Sequence, residues 1–365
     1  MVAVRLPLID AMKGLGCMAI VLHHLAFYGP MSDVVHQAAP GTINFLFNYA
    51  RLAVQMFFVL GGYLVAAQLC PTGEASSTAI GKQVWKRYKR LATPLVFAVS
   101  SAALITALVR PWFDHPSLSA APSLTQFLVH ALLLQDLLGV EALSAGVWYV
   151  AVDFQLFTGT VLLTVLMSKA PERWRWMYPV VIMALCAISL WGVNRHDEFE
   201  NYAPYFYGAY ALGMLAQWTS RASWGSWAWL ALLVLGTVAL WMQYRHPISV
   251  ALATAILLAA SARTGWLEQW SGPHWLIWLG QRSYSIFLIH YGICIGFNAA
   301  WHYLFPQGVW INLIGMGLAT LISVAAGVAL YRYVESRSEV FGQNLSTAVL
   351  TIMVTGALAV EAVSW

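Results

Sequence analysis

The stretch LIDAMKGLGCMAIVLHHLAFY, residues 8–28, decides the class of this protein. It is long enough to cross a hydrocarbon layer of about 30 Å as a helix rising 1.5 Å per residue. Yet it carries Asp10, Lys13, His23 and His24. Those charges, with no small-residue cleavage site after them, make it a retained first span rather than a secretory leader. An ionisable side chain inside a membrane costs several kcal/mol unless it is paired or faces a cavity, so each one is a functional candidate. At 100° per residue, His24 falls about 20° past three full turns from Lys13, and Asp10 lies about 60° from Lys13. Asp10, Lys13 and His24 therefore share one face, whereas His23 points about 100° away. Lys13 and His24 are about 16 Å apart along the axis, so they serve two depths of one buried channel.

The rest of the chain agrees with that reading. Of 365 residues, 60% are apolar and only 9% charged, with 18 Trp, against about a quarter charged in an average soluble chain. A soluble enzyme and a nucleic-acid binder are both excluded, and the tryptophans suit interfacial belts. Apolar runs predict an all-α polytopic protein with ten or eleven spans, near 8–28, 44–69, 91–110, 147–167, 176–193, 203–219, 226–243, 247–262, 283–304, 309–333 and 346–364. Residues 124–138 are apolar but too short to cross, which suggests a re-entrant or interfacial helix. With a cytoplasmic N-terminus, the inside loops hold Arg5, Lys82, Lys86, Arg87, Lys89, Arg90, Lys169, Arg173, Arg175, Arg221, Arg263, Arg282, Arg332 and Arg337, and the outside holds Arg51, Arg110, Arg195 and Arg245. That asymmetry follows the positive-inside rule. Residues 1–340 read as one membrane domain and 341–365 as an extra C-terminal transmembrane helix. The four cysteines show no CxxC spacing, so neither a disulfide nor a metal site is expected.

Three further polar patches stand out. Arg87 and Arg90, in KQVWKRYKRLATP at 82–94, project from one helical face. They suit a lipid-headgroup anchor, or equally a phosphate-bearing ligand arriving from the cytoplasm. Trp148 and Tyr149 open the fourth span as interfacial anchors, and Asp153 and Gln155 follow more than a turn inside. Asp153 needs a partner, and His24 is placed at comparable depth, where a carboxylate would hold the imidazole as a base. Ser283, Tyr284 and His290 begin the ninth span. Gly61-Gly62 reads as a site of close helix approach.

In this order the patches resemble membrane-bound acyltransferase family 3, the multi-span O-acyltransferases that modify bacterial surface glycans. The family's Asp, Arg-Gly and His opening is matched by Asp10, Lys13-Gly14 and His24, and its Phe-Phe-Val-Leu-Ser-Gly-Phe segment by Phe57–Tyr63. Its paired arginines before a proline are matched by Arg87, Arg90 and Pro94; its Trp, acidic and Gln pattern by Trp148, Asp153 and Gln155; its Gly, Ser-Tyr and His pattern by Gly280, Ser283-Tyr284 and His290. The match covers about residues 6–335. Lys13 replaces Arg, Gly61 replaces Ser and Asp153 replaces the commoner Glu.

The resemblance implies transfer of an acyl group, most often acetyl, from cytoplasmic acyl-CoA to a hydroxyl of a glycan or lipid-linked sugar at the outer face of the inner membrane. Acyl-CoA is a donor substrate, and no bound cofactor is implied. His24 is the expected base and Asp153 its orienting carboxylate. Lys13, Arg87 and Arg90 are expected at the donor, and Asp10, Trp148, Gln155, Ser283, Tyr284 and His290 in support or on the acceptor side. The rival from another class is a proton-coupled secondary transporter using Lys13, His24, Asp153 and His290 as a relay. No inverted repeat accompanies it, and a relay has no use for arginines outside the bilayer.

Overall fold

A computed structural model describes residues 6–338 except 77 and 120; the expected last span at 346–364, the 341–365 segment and Arg5 lie outside the described residues. Every regular element among the described residues is helical. In chain order they are α1 (Pro7–Phe27), α2 (Pro30–His36), α3 (Pro40–Tyr49), α4 (Ala53–Leu69), α5 (Ile80–Val109), α6 (Leu124–Ala131), α7 (Val147–Ser168) and α8 (Met177–Trp191). Then come α9 (Ala203–Arg221), α10 (Gly225–Met242), α11 (His246–Thr264), α12 (Trp266–Gln269), α13 (His274–Gly280), α14 (Ser283–Leu304) and α15 (Val309–Tyr333). Among the described residues nine helical stretches are long and apolar enough to cross a membrane. The protein is an all-α, multi-pass membrane protein.

Two of the expected spans have different limits. The 44–69 run is α3 and α4 joined by a 3-10 turn at Ala50–Leu52. Helix α5 starts eleven residues before 91, so the basic stretch is its first three turns and not a loop. Pro94 sits inside α5 without ending it. An apolar surround leaves the freed carbonyl no water to turn to, so the helix persists through the proline.

The chain folds into two compact units, each assembled from separate segments. The first comprises residues up to 13, 52–87 and 152–277, and the second 14–51, 88–151 and 278 onward. In the first unit α9 is the innermost helix, with Phe206 and every residue from Gly208 to Thr219 buried. It matches the expected 203–219 span but is absent from the nine. A helix enclosed by α4, α8, α10 and α11 has no need of lipid-grade apolarity and carries Gln217, Trp218 and Thr219 inside. Its seam with α4 is backbone on backbone. A Cβ at Gly62 would overlap the carbonyl oxygen of Tyr210, and one at Gly213 would overlap that of Val59. Close helix approach at the glycine pair is thus confirmed, at Gly62 and not at Gly61. Trp218 Nε1 then donates to Cys70 O at 2.7 Å across the end of the seam.

In the second unit α14 is the hub. On one side its Tyr291, Ile295 and Ala299 form a buried cluster with Ala102, Val109 and Phe113. On another, Gly327 of α15 lies so close that a Cβ would press into the backbone of Ile286. The short helix α6 is capped by Ser123 and Gln126, which bond reciprocally to each other's backbone; it occupies the segment expected to be re-entrant or interfacial.

Candidate functional site

Within the second unit, α1 and α14 run parallel and in register, as three contacts rising together along both helices show. Cys17 Sγ donates to Ser283 O at 3.3 Å. Two turns on, His24 Nδ1 lies 2.6 Å from His290 Nε2, with the rings nearly parallel at 6° and 4.9 Å between centroids. Beyond them, Asn298 donates to Tyr28 O at 3.0 Å and accepts from Met31 N at 3.3 Å. That last pair pins the reversal at Gly29, whose φ of 125° and contact with the Asn298 side chain leave no space for a Cβ. His24 is thus held from both sides along its helix.

His290 is fully buried and its Nδ1 lies 2.6 Å from Phe287 O. The ring of Phe287 is seated against Gly146, which has φ 82° and would clash with that ring if it carried a Cβ. Tyr149 meets the same ring edge-on at 5.6 Å. The start of α7, where Trp148 and Tyr149 were expected as interfacial anchors, therefore buttresses the turn of α14 that carries His290. The segment leading there is tied by His130, which bonds Gln126 O through Nδ1 at 2.7 Å and accepts from Leu143 N through Nε2 at 3.1 Å. Burial pushes His130 below its ordinary 6.5, against the pull of the Gln126 bond. Desolvation pushes nearby Asp136 up.

Also in this unit, Ser283 Oγ donates to Gly280 O at 2.8 Å, closing the turn between α13 and α14. Tyr284 OH donates to Leu91 O at 2.8 Å, and Arg90 is exposed. Ser285 Oγ donates to Glu335 Oε2 at 2.6 Å, placing a carboxylate at the N-terminus of α14, where the helix dipole favours it.

The first unit holds the other candidates. Lys13 Nζ is 3.8 Å from Asp10 Oδ1. Arg87 Nη2 donates to Asp153 Oδ2 at 2.5 Å, and the guanidinium lies 5.3 Å from the centroid of Phe157. Asp153 is 3% exposed. A Cβ at Gly61 would sit 3.4 Å from its Oδ1, so the site that carries Ser in the family pattern faces the carboxylate directly. Gln155 Nε2 is buried without a hydrogen-bond partner.

This geometry corrects one expectation. Counting from loop edges puts Arg87 on the cytoplasmic side and Asp153 toward the outside, but their ion pair sets them at one depth. The partner found for the Asp153 carboxylate is Arg87, and the partner found for the His24 imidazole is His290. Sequence reading also passes over Phe287, whose contribution is a backbone carbonyl and leaves no residue signature. Asn298 and Glu335 go unnoticed as well, the first a lone polar residue inside an apolar run and the second one of several charged residues just after one.

Residues 6–332 match the family model described as an acyltransferase domain. The chain belongs to acyltransferase family 3. No curated protein and no solved structure gives a significant match. The matched region takes in both units and every candidate residue above and ends in the last turn of α15, so this family 3 protein is a membrane acyltransferase.

Proposed function

We propose that the protein moves an acyl group, acetyl in the simplest case, from cytoplasmic acyl-CoA to a hydroxyl of a glycan or lipid-linked sugar at the outer face of the inner membrane. The observation that carries this reading is His24: a half-buried imidazole in a membrane span, engaged by one ring nitrogen with His290, in a chain of an acyltransferase family. His24 takes the proton of the acceptor hydroxyl. The oxygen attacks the thioester carbonyl, the tetrahedral intermediate collapses with loss of the CoA thiolate, and the proton passes from His24 to that thiolate. The products are the ester and free CoA. Lys13 and Arg90 supply positive charge to the donor phosphates, and Asp153 acts by holding the guanidinium of Arg87 in one orientation toward the same donor.

The test is thiol release from acetyl-CoA by native membranes containing the protein. Free CoA should accumulate with the wild-type chain and fall to background with His24→Ala. A proton-coupled transporter would release no thiol in either case, and that result refutes the proposal.

A further inference from the structure

The geometry points to His290 as the positioning residue that sets which nitrogen of His24 works as the base, an inference that rests on the acyl-transfer reading above. A carbonyl oxygen only accepts, so the hydrogen between Phe287 O and His290 Nδ1, 2.6 Å apart, sits on the imidazole. A neutral His290 then carries its lone pair on Nε2. That nitrogen is 2.6 Å from His24 Nδ1, too close for two hydrogens or two lone pairs to face each other. His24 Nδ1 therefore carries the hydrogen, and His24 Nε2 is left with the lone pair that takes the acceptor's proton.

The carbonyl is the anchor of the series because it has no second role to adopt. Neutrality of His290 follows from its complete burial and from the cost of an ionised group without water. When His24 gains its proton, the bond from Nδ1–H to His290 becomes charge-assisted and shortens in effect. His290 thus steadies the developing cation while remaining uncharged, a task that a carboxylate performs in the Ser-His-Asp arrangement. The other titratable groups facing His24 are His23, with ring centroids 5.0 Å apart, and Tyr28 at 5.4 Å, both on or just after α1. His23 is turned away by its own bond from Nδ1 to Leu46 O at 3.2 Å. The contacts at Cys17 and Asn298 keep α1 and α14 in the register that the pair requires.

Thiol release from acetyl-CoA by native membranes, followed across pH, tests the assignment with His24→Ala, His290→Ala, His290→Gln and His290→Glu. His290→Ala should lower kcat on the order of 10²-fold with little change in KM for acetyl-CoA. Gln, whose amide accepts from His24 through oxygen and donates to Phe287 through nitrogen, should recover most of the rate. Glu puts an anion beside His24, favours its protonated form, and should move the acid limb of the profile to higher pH. Nitrogen-15 spectra of the detergent-solubilised protein should find the His24 hydrogen on Nδ1, opposite to the form imidazole side chains favour in water. A wild-type rate and profile in His290→Ala overturns the assignment, as does a His24 hydrogen on Nε2, or equal losses in the Ala and Gln variants with unchanged thermal midpoints. Should His290→Ala fail to fold, the Gln and Glu profiles decide alone. Unchanged thiol release in His24→Ala removes His24 as the base and the assignment with it, whereas no thiol release from wild-type membranes refutes the acyl-transfer reading itself.

Discussion

Replacing Asp153 by Asn keeps the shape of the side chain and removes its charge from the pair with Arg87. With charge centres about 4 Å apart and an effective dielectric near 20, the attraction lost is about 4 kcal/mol. Desolvation of both groups offsets part of that gain in the folded protein, but truncation does not return it, because the remaining guanidinium is still held away from bulk water. Breaking a buried pair on one side costs about 3–5 kcal/mol. Here the Arg87 side chain retains 25% of its exposure against 4% for Asp153, and Asn still accepts one hydrogen bond, so the expected loss is about 2–3 kcal/mol. Arg87→Met in the same chain removes the charge that the carboxylate had balanced and lets the thioether pack on Phe157. The double variant should therefore lie within about 1 kcal/mol of the wild type, while remaining inactive in thiol release. The measurement is a double-mutant cycle on the unfolding free energy of the detergent-solubilised protein. Single losses that simply add in the double variant would show that the pair contributes no coupling, and the argument for Asp153 as the holder of Arg87 would fall with it.

The neighbouring glycines of α4 should respond in opposite ways. Gly62→Ala drives a methyl into the Tyr210 carbonyl and should abolish folding or lower the thermal midpoint sharply, whereas Gly61→Ser meets Tyr210 only at 3.1 Å and brings a hydroxyl within reach of Asp153, so the midpoint should hold or rise; equal effects would contradict the backbone seam. Arg245 donates through Nη1 to both oxygens of Asn194 and through Nη2 to Leu190 O at 2.9 Å, closing the end of α8. Arg245→Ala should cost about 2–3 kcal/mol in unfolding measurements, and a change below about 0.5 kcal/mol would rule out that capping role. His130 is held neutral in the fold, so the unfolded chain binds its proton first as pH falls. Its contribution is complete above about 6.5 and is lost below that value. The protection of the Leu143 amide, taken relative to its intrinsic exchange rate at each pH, should fall on acidification from pH 7 to pH 5 as its bond to His130 is lost, and His130→Asn should flatten that response.

Much of the fold was legible because a bilayer imposes a one-dimensional rule: a span must be apolar over its whole length, and hydropathy reads it directly. The exceptions are instructive. Helix α9 has the length of a span without the apolarity, since its neighbours within the first unit replace lipid around it. The start of α5 hid behind its basic residues, which a helix projecting past the apolar run carries without cost. In the site, His24, Asp153 and His290 were recognisable as ionisable groups in apolar surroundings, but their partners were not. Depth estimated from loop boundaries placed Arg87 and Asp153 apart, because such counting assumes that every helix begins at the membrane edge.

By itself, then, the amino-acid sequence determined the solvent in which the protein works, the helical class, the family, and the few side chains that a membrane would tolerate only for a purpose. Those properties depend on what each residue is and on its spacing along one helix. Which of those side chains touch was decided only by the tertiary structure. His24 and His290 are 266 positions apart, and Arg87 and Asp153 are 66 apart. Their meeting depends on the register of α1 against α14 and on the packing of α5 beside α7. That register is set by small contacts at Cys17, Gly29, Gly146 and Asn298, where the fit of one surface to another carries the information and no local pattern announces it.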